Sequence, residues 1–260
     1  MSESNKRNFI VHGSILAIAG ILVRIIGMLY RIPVVNIIGS EGNGIYGAAF
    51  NIYNIMLVLS SYGLPMAVSK LVSARFTKKR YKSAAKVLRC SLMVAVCTGG
   101  IAALLVFFGA SFIENVIYGG GLPGLAIPLR ILAPTIFLVA ILGVIRGFFQ
   151  GQSTMIPTAV SQILEQIVNA IVSIAAGYGM MKAFASSPDV AAYGAAGSTL
   201  GTAMGALTAV LFMGFLYAVY TPTFNRLKRK DRHTENQSTG QICKIIIYTM
   251  IPIILGQTFY

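Results

Sequence analysis

Four charged side chains fall well inside segments that are otherwise long and apolar: Arg24 and Arg31 in residues 9–38, Arg130 in residues 122–149, and Glu165 in residues 155–181. Inside a membrane-spanning helix each such charge costs about 2.5–3.5 kcal/mol on insertion scales, so each calls for a partner or for water. Arg24 and Arg31 are seven residues apart, about 700° on an α-helix and so nearly two full turns, and both guanidinium groups leave the same face. Gly20 and Gly27 flank them on that face, which makes a stripe of small and cationic residues suited to a helix interface or a cavity rather than to lipid. Around Glu165, the side chains Gln162, Gln166, Asn169 and Ser173 recur at spacings of three and four, so one face of this segment is polar. Asn51 and Asn54 add two amides in residues 44–74.

Two chemistries fit these groups. Glu165 can brace Arg24 across helices while Arg31 and Arg130 extend toward the outer surface, and the amides can hydrogen-bond between helices at about 0.6 kcal/mol each. Alternatively, a single carboxylate does not balance three arginines, and an excess of buried positive charge calls for an anion. The arginine fork of N–H donors matches phosphate oxygens, with Asn51, Asn54, Gln162, Glu165, Gln166 and Asn169 lining a hydrated path for a polar headgroup. Glu165 also has the chemistry to titrate or to hold a coupling cation.

No catalytic set is present: His12 and His233 lack acidic or serine partners at a recognisable spacing, and there is no HExxH, GxSxG or Walker pattern. Cys90, Cys97 and Cys243 form no CxxC pair and no metal-ligand cluster, and read as packing residues. The sequence calls for no enzyme activity, cofactor or metal. A net charge of +14 raises nucleic acid as a partner, but the basic residues stand in short runs between apolar segments without interleaved aromatics, which excludes it.

The elements that position these residues follow from composition. With 56% hydrophobic and 11% charged residues, and a mean hydropathy of +0.75, the chain lacks the polar surface to face water. It reads as an all-α polytopic membrane protein with six complete spans, at 9–38, 44–74, 87–110, 122–149, 155–181 and 191–220, each long enough for a bilayer. A seventh begins near Ile242 and is entered but not finished. The first span is too long for a signal peptide core. Gly63-Leu64-Pro65 should kink the second or lay its end along the interface. Seventeen Lys and Arg residues, Arg146 among them, fall on one side against Lys182 on the other, which orients the N-terminus to the cytoplasm. The polar stretch 221–241 reads as a basic cytoplasmic linker, dividing a six-helix unit at 1–220 from the start of a second unit at 242–260. Membrane lipids are the implied surroundings, with anionic headgroups near the basic runs.

Three stretches, VRIIGMLYRIPVVNIIGSEGNGIYGAAFNIYNI, YGLPMAVSKLVSA and LRILAPTIFLVAILGVIRGFFQGQSTMIPTAVSQILEQIVNAIV, resemble the multidrug/oligosaccharidyl-lipid/polysaccharide exporter superfamily. Within it the resemblance is to the stage V sporulation protein B branch of polysaccharide and lipid II flippases. RGFFQG followed by PTAVSQILEQIVN is its most specific part. It implies two pseudo-symmetric lobes around a central cavity, of which this chain is the first, and alternating access. It implies a multi-pass protein of the bacterial cytoplasmic membrane that moves an undecaprenyl-diphosphate-linked saccharide for cell-wall, spore-cortex or polysaccharide synthesis. Arg24 matches the first of two cavity arginines of the flippase relatives, and Arg31 matches the second with one residue of extra spacing. Asn51 and Asn54 stand where some relatives have a further arginine. Arg24, Arg31 and Arg130 are the candidate diphosphate ligands. The alternatives are a cation-coupled multidrug exporter, disfavoured by three arginines against one glutamate, and a non-transporting scaffold for cell-wall enzymes.

Overall fold

The structure, a computed structural model, describes residues 3–232 and 238–258, with side chains from Gly13 onward except at Leu255, Gln257 and Thr258. His233 and the side chains of Lys6, Arg7 and His12 lie outside the described residues. The described chain is helical: α1 Glu3–Ser60, α2 Gly63–Thr77, α3 Tyr81–Phe112 with a π-helical turn Ile113–Ile117, α4 Ala126–Gly151, α5 Ile156–Ala183, α6 Val190–Lys230 and α7 Thr239–Thr258. Among the described residues, five continuous stretches, beginning with Gly13–Thr77, are long and apolar enough to cross a membrane. The first counts twice. Gly39, at φ 69° and ψ −175°, occupies a backbone region essentially reserved for glycine. Arg24, fifteen residues before it, and Tyr53, fourteen after it, both line cavities that share Glu165. The two arms of α1 therefore run back alongside one another and supply the first two predicted spans.

The predicted break at Gly63-Leu64-Pro65 falls two residues earlier, at Ser61 and Tyr62, whose N–H groups both reach back to the carbonyl of Leu57. Beyond this break α2 is packed into the bundle instead of lying along the interface: Leu64, Ala67, Val68 and Val72 are fully buried. They lie against a row of small residues on α4, where a Cβ added at Gly147 would sit 2.5 Å from the Pro65 carbonyl oxygen and one at Gly151 2.7 Å from the Val72 Cβ. Helices in an apolar solvent gain little by burying more apolar surface, so close backbone approach is what holds them. A second such row, Gly194, Gly197, Gly201 and Gly205 of α6, lies on α5, with Gly205 so close that a Cβ there would stand 2.6 Å from the Glu165 carbonyl oxygen. Ser173 Oγ donates across the same seam to the Ser198 carbonyl at 2.8 Å.

The expected linker at 221–241 is corrected in its first half. α6 runs on through Pro222 to Lys230. The cause is aromatic: Phe224 is 1% exposed, stacked on Phe76 of α2 at 6.1 Å and edge-on to Phe148 of α4 at 5.3 Å. One apolar anchor within a basic sequence thus keeps the helix on the bundle. Asp231, just past the end of α6, turns its carboxylate onto the N–H of Lys82 at 2.8 Å and caps α3, where an anion is favoured by the unsatisfied N–H groups of a helix start. At the other end of the bundle Glu114 accepts from the N–H groups of Gly124 and Ala126 at 3.0 and 2.7 Å, doing the same for α4. α7 packs on α2 and α3, with Ile242 and Ile246 fully buried.

Candidate functional site

The polar groups of α4 and α5 meet the two arms of α1 in a pair of adjoining cavities, one against each arm. One, about 380 Å³, is bordered by Tyr53, Tyr62, Gln150 and Gln162. The other, about 310 Å³, is bordered by Gly20, Arg24, Gln162 and Gln166. Arg146 and Glu165 line both. They form an ion pair, Arg146 Nη2 to Glu165 Oε2 at 2.8 Å, with the side chains 14% and 27% exposed. Arg146 Nε also donates to Ser161 Oγ at 2.9 Å, and that hydroxyl donates in turn to the Thr158 carbonyl at 2.8 Å. The pair divides the space, with Arg24 on one side and Tyr53 on the other.

Each element contributes for a local reason. On α5, Gln162, Glu165, Gln166 and Asn169 share a face as their spacing predicts. Gly27 lets α1 come close to that face, since a Cβ there would stand 3.2 Å from Gln166 Nε2. Asn169 is not open to the cavity: it is 8% exposed, donates to Tyr30 Oη at 3.3 Å and accepts from Ser173 Oγ at 2.9 Å. It ties α5 to α1 and binds the polar face into the packing. Asn51 and Asn54 are exposed on the second arm of α1 and border neither cavity.

The three predicted phosphate ligands separate. Arg24 reaches the smaller cavity. Arg31 continues its stripe about 10 Å further along the helix, exposed and outside both cavities. Arg130 is not brought to them: it is exposed and donates to Ser111 Oγ of α3 at 2.9 Å. Sixteen residues separate Arg130 from Arg146, about 160° away from a whole number of helical turns, so the two leave opposite faces of α4.

The pairing of Glu165 also differs from the expected brace, since its salt-bridge partner is Arg146 rather than Arg24. Arg146 is the residue that sequence reasoning misplaced, by counting it with the loop charges. The signal was present, because Gly147, Phe148 and Phe149 come after it and carry apolar sequence past it into buried positions. With two arginines and one carboxylate, the paired cavities keep an excess of positive charge, and the amides of Gln162 and Gln166 add donors and acceptors.

The family described as "Polysaccharide biosynthesis protein" matches residues 10–256. The lipid II flippase MurJ of Bacillus subtilis (strain 168) is 34% identical over 176 residues, covering 65% of this chain and 32% of that protein. Stage V sporulation protein B of the same organism is 30% identical over 210 residues, covering 80% of this chain and 39% of that protein. Among solved structures, a MATE transporter in the straight conformation superposes with a TM-score of 0.75 at 17% identity, over 97% of this chain and 53% of that one. A likeness that distant shows the fold alone. The chain belongs to the polysaccharide biosynthesis protein family. It spans about a third to two fifths of the length of these two curated relatives.

Proposed function

We propose that this chain supplies one wall of a flippase cavity that carries a diphosphate-linked, lipid-anchored saccharide across the bacterial cytoplasmic membrane by alternating access, with its N-terminus in the cytoplasm. The observation that carries the reading is the cationic pair of cavities shared by Arg24, Arg146 and Glu165. A diphosphate brings two adjacent anionic groups, and two arginines can each offer a fork of N–H donors to them. Because Glu165 already occupies Arg146, the substrate competes with an internal carboxylate. Binding is then a partner exchange in which Arg146 stays paired throughout, while the release of Glu165 is a cost that the contacts to Arg24 must offset. Gln162 and Gln166 line the way for the sugar. Arg31, further along the same helical stripe, would meet the headgroup later in its passage. The relatives that carry flippase and sporulation names support a lipid-linked glycan as substrate. The excess of arginine over carboxylate in the cavity supports an anion over the organic cations of a multidrug exporter.

The test replaces Arg24 by alanine in the full-length protein and measures translocation of lipid-linked substrate in proteoliposomes. A loss of about 2 kcal/mol of charge-assisted hydrogen bonding predicts a fall in apparent affinity of roughly thirtyfold. Undiminished transport at normal expression overturns the role given to Arg24.

A further inference from the structure

Apart from the central cavities, positive charge converges at the basic end of the bundle. Lys82, Lys86 and Arg89 of α3 and Lys228 of α6 line a groove of about 490 Å³ whose remaining walls include Met93 and Thr239, the first residue of α7. The α3 residues succeed one another at spacings of four and three, so they lie within about 40° of one face. Like charges at such spacing repel on a bare helix. Lys228 is brought to the same place because α6 continues ten residues beyond its predicted end, anchored by Phe224, over whose ring the Lys228 ammonium lies at 5.3 Å. Asp231, just past α6's basic end, is buried and points its carboxylate at the backbone N–H of Lys82.

The face of α3 that bears these cations changes character as it moves away from them. Met93, Val96 and Leu104 extend the same stripe and are 57%, 47% and 58% exposed. Cations from two helices thus stand at the head of an apolar track about the length of a lipid chain, since Arg89 to Leu104 spans roughly 22 Å of helix. A generic topology signal needs only basic residues on one side of the membrane. It needs neither a concave site nor a helix held past its apolar span.

We propose that this groove between α3, α6 and the start of α7 is a binding site for an anionic diacyl phospholipid, its phosphate held by Lys86, Arg89 and Lys228 and one acyl chain laid along Met93, Val96 and Leu104. The site is separate from the substrate cavities and does not depend on what they carry. Its consequence is that the basic ends of α3 and α6, which repel, are held together by a lipid of the surrounding leaflet.

Native mass spectrometry of the full-length protein, released from detergent with added phosphatidylglycerol or phosphatidylcholine, tests it. The expected result is at least tenfold preference for phosphatidylglycerol, lost in K86Q/R89Q/K228Q and retained in K70Q/K78Q/K79Q, which removes as many exposed charges from the middle of α2 and the turn after it. Arg89 is exposed, so R89Q alone keeps the fold, and it should weaken phosphatidylglycerol retention about threefold. Equal losses in the two triple variants would reduce the groove to a generic basic surface and overturn the proposal. So would displacement of the lipid by millimolar inorganic phosphate, which would remove the role of the acyl track. Binding of farnesyl diphosphate without phosphatidylglycerol would overturn it in favour of a substrate-loading site.

Discussion

Replacing Arg146 by methionine should destabilise the protein chiefly by stranding Glu165, and a double-mutant cycle isolates that effect. At about 4 Å between charge centres and an effective dielectric constant near 20, the pair attracts by roughly 4 kcal/mol before desolvation is counted. The side chains are 14% and 27% exposed, so part of the attraction is screened while part of the desolvation cost is retained. The net coupling expected is about 1–3 kcal/mol, between the values for surface and fully buried pairs. Arg146→Met alone should cost about 2–4 kcal/mol. Glu165→Gln alone should cost about 1–2 kcal/mol, since an amide oxygen can still accept from Arg146. Ser161 does not add to the first figure, because its hydroxyl keeps the Thr158 carbonyl as partner. The double variant should cost less than the sum of the singles by the coupling energy. The chain has no tryptophan, so SDS-titrated unfolding is best monitored by far-ultraviolet circular dichroism. Additivity within about 0.5 kcal/mol would show that the two groups do not share a desolvated contact, and would remove the partner-exchange step proposed for substrate binding.

Gly39→Ala places a Cβ at φ 69° and ψ −175° and should cost about 1–3 kcal/mol, read as a lowered unfolding midpoint. An unchanged midpoint would mean the bend is not held in that conformation. Arg130→Gln should leave substrate transport within about twofold of wild type, because its guanidinium lies on the face of α4 opposite Arg146, and transport in proteoliposomes would check it; a loss as large as that of Arg24→Ala would contradict this separation of the arginines.

The composition and the run of apolar segments were enough to establish a polytopic helical membrane protein, because a bilayer forces every backbone group to be satisfied within its own helix and leaves hydropathy as the dominant signal. The α5 face was legible for the same kind of reason: the spacing of Gln162, Glu165, Gln166 and Asn169 is a local property of one helix. Helix partners are not local. That Glu165 meets Arg146 rather than Arg24 depends on where the glycine rows let α2 approach α4 and α6 approach α5, to within contacts that a single Cβ would block. Arg130 and Arg146 belong to one helix, yet their opposite roles become visible only once α3 and α5 are known to lie on its two sides. The end of α6 was hidden too, since TPTFNRLKRK is polar by count and only the burial of Phe224 among Phe76 and Phe148 keeps it helical. Residue type and spacing along each helix were sufficient to mark which groups are costly in a membrane. Which of those groups face one another was a matter for the assembled bundle, because charge pairing and close packing are settled between helices rather than along them.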